Sequence, residues 1–127
     1  MTPWGENNHI VLIDDSIDFS KMVRKALIRS GYQGEIKGYP FANAFYEVCE
    51  VYPDLVICDQ HMPGDKGLDV HDKLRAEGYE GGFILVSADT QSLDDSWARL
   101  RDIEYLLKPF SVPEFIEKCQ QITVNSK

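Results

Sequence analysis

The sequence predicts a doubly wound α/β fold in which helices cover both faces of a five-stranded parallel sheet. Three observations support this prediction. Short apolar segments alternate with segments of helical periodicity along the chain. Most of the short segments are apolar at consecutive positions. Five strands and five helices also fit the 127 residues, and regular alternation of the two element types is typical of doubly wound sheets.

The short segments have the length and composition of strands. Four of them are rich in Val, Ile, Leu or Phe over consecutive positions, as a strand requires when helices cover it on both faces. The second segment is more polar, which favours a place at the sheet edge. The predicted strands are residues 9–14, 34–39, 55–59, 82–87 and 103–107.

Helical spacing of apolar residues predicts five helices. Gly31 is a suitable residue to end the first helix, and Ser111 is a suitable N-cap for the fifth. The predicted inward faces are Phe19, Met22, Val23, Ala26 and Leu27 on the first helix, Phe41, Phe45, Val48 and Cys49 on the second, Leu68, Val70, His71 and Leu74 on the third, Leu93, Trp97 and Leu100 on the fourth (about 92–100), and Phe115, Ile116, Cys119 and Ile122 on the fifth.

Composition restricts the class of protein. A hydrophobic fraction of 43% excludes a disordered chain, and nothing in the sequence resembles a membrane span or a secretory signal, so we expect a cytoplasmic protein. The net charge of −8 disfavours nonspecific binding to nucleic acids or anionic membranes. We expect one domain over residues 9–124, preceded by an extension (1–8) and followed by a short tail (125–127). The three cysteines have no metal-type spacing and are expected to be buried, free thiols.

Polar residues follow four of the predicted strands. Strand 1 ends in Asp14 and Asp15, strand 3 in Asp59 and strand 4 in Ser87, while Lys108 follows strand 5. The carboxyl ends of parallel strands meet at one edge of the sheet, where ligands of such folds bind. Each residue alone is an ordinary loop or cap residue, but their joint position predicts a site.

The residue types indicate the chemistry of this site. Three clustered carboxylates repel one another, and a divalent cation with oxygen ligands removes the conflict, which is typical of Mg²⁺. One carboxylate is then available as a nucleophile towards phosphorus. A hydroxyl and an ammonium group would contact oxygens of the transferred group.

Four segments resemble the receiver domain of two-component response regulators, a family that includes single-domain chemotaxis members of the CheY type. The segments are "LIDDS", "LVICDQHMPGDKG", "ILVSAD" and "YLLKPF", in the order and near the spacing of that family. The resemblance covers essentially the whole chain. It implies a flavodoxin-like (βα)5 fold with strand order 2-1-3-4-5 and a cis peptide bond between Lys108 and Pro109.

The resemblance also implies roles for the acidic residues. Asp59 would accept a phosphoryl group from a phosphohistidine, and the protein would be a signalling phosphoacceptor that assists its own phosphorylation and dephosphorylation rather than an enzyme. Asp15 would bind Mg²⁺ directly and Asp14 mainly through water, with Mn²⁺ as an alternative metal. Asp59 and the backbone carbonyl of His61 would complete the protein ligands of the metal.

Further roles follow from the same resemblance. The Ser87 hydroxyl and the Lys108 ammonium would contact the phosphoryl group, and Tyr105 would be an aromatic switch that changes rotamer on activation. His61 and Asp89 lie at positions where the family tunes the lifetime of the phosphoryl group. Both are equally well explained as solvated loop residues.

The implied partners are a sensor histidine kinase or a histidine phosphotransfer protein, and a downstream protein target. The target would bind the surface formed by the fourth helix, the fifth strand and the fifth helix. The segment "RLRDIEY" before strand 5 departs from the family pattern, so the choice of target is open. We expect no direct binding to nucleic acids or membranes.

Three alternatives remain for comparison. A phosphatase of the haloacid-dehalogenase type uses similar residues, but it needs a second Asp at the position of His61. A flavin-binding module needs a Gly- and hydroxyl-rich loop where this chain has "DDSID", whose charge would repel phosphate. A receiver that is never phosphorylated and serves only for docking is the third alternative.

Overall fold

Five parallel strands form one sheet in the computed structural model, which describes residues 4–88 and 103–125. Their order in the sheet is β2-β1-β3-β4-β5. The doubly wound fold and the strand order are therefore confirmed, and each predicted strand agrees with the observed bounds to within one residue. The strands are β1 (His9–Ile13), β2 (Glu35–Tyr39), β3 (Leu55–Asp59), β4 (Gly82–Ser87) and β5 (Glu104–Leu107).

Four helices lie in the described part of the chain. They are α1 (Ile17–Arg29), α2 (Ala42–Val48), α3 (Gly67–Ala76) and the C-terminal helix α4 (Val112–Asn125). These correspond to the first, second, third and fifth predicted helices, whereas the predicted helix at 92–100, with Leu93, Trp97 and Leu100, lies outside the described residues. Among the helices described, none combines the length and apolarity that crossing a membrane requires.

The sheet carries a hydrophobic core on each face because successive strand residues point to opposite sides. On β3, Val56 and Cys58 belong to the core that also contains α2 and α3 residues, whereas Leu55 and Ile57 belong to the core shared with α1 and α4. All four are at most 2% exposed. Continuous apolarity in this strand is thus explained by burial on both faces.

Some apolar residues that were predicted to face the core are exposed to solvent. Met22 of α1 is 40% exposed, and Phe41 and Val48 are 41% and 57% exposed. Phe41 and Val48 are exposed because α2 is only seven residues long. Phe41 precedes the helix and Val48 ends it, so Phe45 is its main core contact. Cys49 follows this helix and is only partly buried, whereas Cys58 and Cys119 are buried as expected, and all three are free thiols.

The helix ends follow their predicted signals. Gly31, with φ of 97°, follows the end of α1, where the Tyr32 N–H donates to the Leu27 carbonyl at 3.1 Å. The Ser111 hydroxyl accepts a hydrogen bond from the Glu114 N–H at 3.2 Å, as an N-cap does.

The segment before β1 packs against the domain. The Trp4 side chain is buried and makes an edge contact with Tyr32, with ring centroids 5.1 Å apart. Asn7 donates to the Thr123 hydroxyl of α4 at 3.0 Å and accepts from the Tyr32 hydroxyl at 3.1 Å. This network joins the segment to α4 and to the loop after α1 at the amino ends of the strands.

Candidate functional site

Three carboxylates meet at the carboxyl ends of β1 and β3. Asp14 and Asp15 follow β1, Asp59 ends β3, and one carboxylate oxygen of each lies within 4.8 Å of the others. The parallel register brings them together because β1 and β3 are neighbours, with Ile13 opposite Cys58. Asp14 and Asp59 are buried, and Asp15 is exposed, so the cluster opens to solvent on one side.

Lys108 supplies a positive charge beside this cluster. Its ammonium lies 3.3 Å from Asp14 Oδ2 and 3.9 Å from Asp59 Oδ1. The residue follows β5 and its backbone N–H donates to the Ser87 carbonyl at 2.8 Å, which continues the pairing of β4 and β5 past the last ladder residue. The expected cis bond between Lys108 and Pro109 is present.

The charge of Asp59 is only partly compensated. Burial raises the pKa of the Asp59 carboxyl above its ordinary value, and the neighbouring Asp14 carboxylate raises that pKa further. The Lys108 ammonium and a hydrogen bond from the His61 backbone N–H act in the opposite direction. The net increase shows that repulsion and desolvation outweigh the single ammonium.

Gln60 holds the loop that follows β3, and sequence reasoning missed it. Its N–H donates to the Val86 carbonyl at 2.9 Å, its carbonyl accepts from Gly67 at 3.2 Å, and its side-chain oxygen accepts from the Leu68 N–H at 2.9 Å. The last contact satisfies a free N–H in the first turn of α3. A Cβ at Gly67 would lie 2.7 Å from the Asp59 carbonyl oxygen, so only glycine permits this approach. A lone glutamine after a strand carries no sequence signal of this role.

The other predicted site residues that the structure describes lie on β4, on β5 or in the loop that follows β3. Ser87 is buried at the carboxyl end of β4, one position beyond Val86, which is opposite Asp59. Tyr105 lies half-buried on β5 against the α2–α3 core. His61 is exposed after β3, and Asp89 lies outside the described residues.

The donor set fits a hard divalent cation. Asp14, Asp15 and Asp59 offer carboxylate oxygens close together, and such oxygens are the ligands that Mg²⁺ and Ca²⁺ prefer. The cluster combines this closeness with an exposed member, Asp15, that leaves room for water ligands. The cluster is therefore a site that suits a divalent metal.

The fold and the site together define a class: a doubly wound α/β domain with an acidic pocket at the carboxyl edge of its sheet. Comparison with known families agrees, because residues 10–120 match the model of the response regulator receiver domain. The chain belongs to this family of two-component signalling proteins. This match confirms the receiver-domain family that the four sequence segments predicted.

Individual relatives are moderately similar. The chain is 28% identical over 110 residues to the transcriptional regulatory protein MalR of Bacillus subtilis, and 29% identical over 116 residues to the DNA-binding response regulator MtrA of Mycobacterium tuberculosis. These matches cover 84% and 87% of this chain, but only 46% and 48% of the relatives. The chain thus spans about half the length of the curated relatives it matches.

Solved structures show the same fold. The response regulator TrrA of Thermotoga maritima, in complex with Mg²⁺ and BeF, has a TM-score of 0.77 and 28% identity, and the match covers 91% of this chain and 98% of TrrA. A receiver protein from Burkholderia phymatum has a TM-score of 0.78 and 25% identity, with 92% and 95% of the two chains covered.

Proposed function

We propose that the protein accepts a phosphoryl group on Asp59 from a phosphohistidine of a sensor kinase or a histidine phosphotransfer protein. One observation carries this proposal. A buried carboxylate ends a central strand beside two further carboxylates, and an ammonium group lies 3.9 Å from its oxygen. Burial and the Asp14 carboxylate raise the pKa of the Asp59 carboxyl, and carboxylates perturbed in this way cluster at functional sites.

The proposed reaction is a transfer between two side chains. A carboxylate oxygen of Asp59 forms the new bond to phosphorus, the bond between phosphorus and the imidazole nitrogen of the donor breaks, and the imidazole takes the electron pair. Strand β3 and the Gln60 contacts hold the nucleophile in place. The Lys108 ammonium compensates negative charge on the phosphoryl oxygens.

Asp14, Asp15, Asp59 and the His61 carbonyl would hold Mg²⁺ at this site. The bound cation would supply positive charge that offsets the carboxylates and the transferred group. The complex of TrrA with Mg²⁺ and BeF supports this assignment, because that relative has the same fold and is 28% identical. Mn²⁺ is the alternative metal, since it also favours oxygen ligands.

Ser87 and Tyr105 are proposed to relay the phosphorylated state. Ser87 ends β4, the strand next to β3, and Tyr105 lies on the adjoining strand β5. The surface that includes β5 and α4 is then the proposed docking face for a protein target. His61 and Asp89 are proposed to influence how long the phosphoryl group persists.

A protein target is favoured over direct binding to nucleic acid. MtrA is described as DNA-binding, but the match covers only about half of it, and this chain carries a net charge of −8. Such a charge opposes association with a phosphate backbone. The match does not show that the matched half of MtrA is the part that binds DNA. We therefore do not propose DNA binding for this chain.

The test is the intact mass of the protein after incubation with Mg²⁺ and phosphoramidate. We expect the wild-type mass to increase by one phosphoryl group, and the increase to be absent with EDTA or in Asp59→Asn. Asp54→Asn is the matched control, because Asp54 precedes the same strand at its other end, and it should gain the same mass as the wild type.

Other outcomes would contradict the proposal. A mass gain that survives in Asp59→Asn would place the acceptor elsewhere. No gain with any small donor or cognate kinase would favour a docking module without phosphorylation. Sustained hydrolysis of a general phosphoester such as p-nitrophenyl phosphate would favour a phosphatase.

A further inference from the structure

The ammonium group of Lys108 makes a third contact that the proposed reaction does not use. Besides Asp14 and Asp59, it lies over the ring of Phe19, 3.9 Å from the ring centroid. The Lys108 side chain is 23% exposed, so this contact is only partly screened by water. A cation at this distance from an aromatic face is attracted by the ring quadrupole.

The N-cap of α1 contacts both residues that hold the ammonium. Ser16 donates its N–H to Asp14 Oδ1 at 2.8 Å, and its hydroxyl accepts from the Phe19 N–H at 3.2 Å. A single residue thus links the Asp14 carboxylate to the backbone of Phe19. The ammonium contacts both the Asp14 carboxylate and the Phe19 ring.

Further aromatic rings support Phe19 from the other side. Phe110 meets Phe19 edge-on with centroids 6.0 Å apart, and Phe110 stacks on Phe115 at 5.5 Å. Phe115 is 1% exposed and belongs to the core under α4. Edge-on and stacked pairs of this kind restrict ring orientation, so the ring under the ammonium is held by the core.

We propose that Phe19 is a positioning residue that holds the Lys108 ammonium at the phosphorylation site, an inference that rests on the proposed function. A lysine side chain is long and loses much rotamer freedom when its ammonium is fixed. The Phe19 ring and Asp14 together hold this group within 3.9 Å of Asp59 without a close pair forming there. The Asp59 oxygen stays available for phosphorus, and the ammonium stays close enough to contact the incoming group.

The alternative is that Phe19 serves only as core packing, and two readouts separate the explanations. The first does not depend on phosphorylation: the ¹³C–¹H signals of the Lys108 ε-methylene in lysine-labelled, metal-free protein, assigned with Lys108→Arg. A ring face next to this group shifts its proton signals upfield. We expect that shift in the wild type and in Phe19→Tyr, and its loss in Phe19→Leu.

The second readout is the rate of phosphorylation by phosphoramidate at saturating Mg²⁺, as a function of donor concentration. For Phe19→Leu we expect the maximal rate to fall about threefold to tenfold, the range for a cation–π contact of intermediate exposure, while the donor concentration for half-maximal rate stays within twofold. Phe19→Tyr keeps the aromatic face and should stay within twofold of the wild type in both parameters.

Phe45→Leu is the matched control for loss of packing. It removes an equally large buried ring from the core on the opposite face of the sheet, outside the aromatic row that supports Phe19. We expect it to lower the melting temperature but to leave the maximal rate within twofold of the wild type. Equal slowing in Phe45→Leu and Phe19→Leu would overturn the positioning role, as would an unshifted Lys108 signal in the wild type.

The two proposals fail in different ways. A wild-type protein that takes no phosphoryl group contradicts the proposed function and, with it, the role of Phe19. A wild-type protein that is phosphorylated at Asp59 at the same rate as Phe19→Leu contradicts only the role of Phe19.

Discussion

Strand β3 carries an aspartate at each end, and the two are held in opposite ways. Asp54 directly precedes the strand, and its Oδ2 accepts hydrogen bonds from the backbone N–H groups of Asn8 at 2.9 Å and His9 at 3.1 Å. Asp59 ends the strand among the carboxylates of Asp14 and Asp15. The Asp54 carboxylate is held by two backbone donors, whereas the Asp59 carboxylate lies beside two like charges that a single ammonium, 3.9 Å away, only partly compensates.

This difference separates stability from function along a single strand. At the amino ends of the strands, Asp54 accepts two backbone hydrogen bonds and thereby ties β1 to the start of β3. At the carboxyl ends, the Asp59 charge is left partly uncompensated, which costs stability and leaves a site for a cation and a phosphoryl group. A partly uncompensated charge at the ligand-binding edge of a doubly wound sheet is typical of a functional site.

The largest expected effect comes from adding Mg²⁺. Because a metal that binds only the folded state stabilises it, Mg²⁺ at 100 times its dissociation constant should raise the free energy of unfolding by about 2.7 kcal/mol. Urea unfolding with Mg²⁺ and with EDTA measures this difference. Asp15→Asn should lose the gain and Asp54→Asn should keep it; an undiminished gain in Asp15→Asn would place the metal elsewhere.

The next effect concerns the amino end of the strand. Asp54→Asn removes the charge that strengthens two backbone hydrogen bonds, and we expect the free energy of unfolding to fall by about 1 kcal/mol. Urea unfolding at pH 7 in EDTA checks this value. A variant as stable as the wild type would show that these bonds need no charge.

The smallest effect has the opposite sign. In EDTA at pH 7, Asp59→Asn should raise the free energy of unfolding by about 0.5–1 kcal/mol, the range for partly screened charges, because it removes a charge that burial disfavours and that the Asp14 carboxylate repels. Asp54→Asn should therefore lower the stability of the protein, and Asp59→Asn should raise it. A loss of stability in both variants would contradict the proposed difference between the two ends of β3.

The pH dependence of this gain follows from the direction of the pKa shift. The pKa of Asp59 is raised in the folded state, so protonation of this group favours folding. Its stabilising contribution is fully present below the pKa of the unfolded state and is lost as pH rises through the higher pKa of the folded state. The advantage of Asp59→Asn over the wild type should therefore shrink as pH falls through that interval. An advantage independent of pH would show that the charge of Asp59 is not its cause.

Much of the fold and the acidic site follows from local sequence patterns. Consecutive apolar residues in "LVIC" identify a strand buried on both faces, and regular alternation with helices requires parallel strands. The parallel arrangement alone then brings Asp14, Asp15 and Asp59 to one edge, so their convergence is a consequence of chain order. The contacts of Gln60 were not predictable, since they depend on how closely α3 approaches β3.

The sequence by itself determined the parallel sheet and the residues at its carboxyl edge, because apolar periodicity and strand ends are local. The strand order followed from the resemblance of four segments to the receiver family. Only the tertiary structure decided how these residues are supported. Phe19 lies far from Lys108 in the chain, and helical periodicity marks it merely as apolar. Its ring lies under the ammonium because α1 packs beside α4, which begins shortly after Lys108. The same reason applies to Trp4, which the sequence places in an extension and the packing against Tyr32 places in the core.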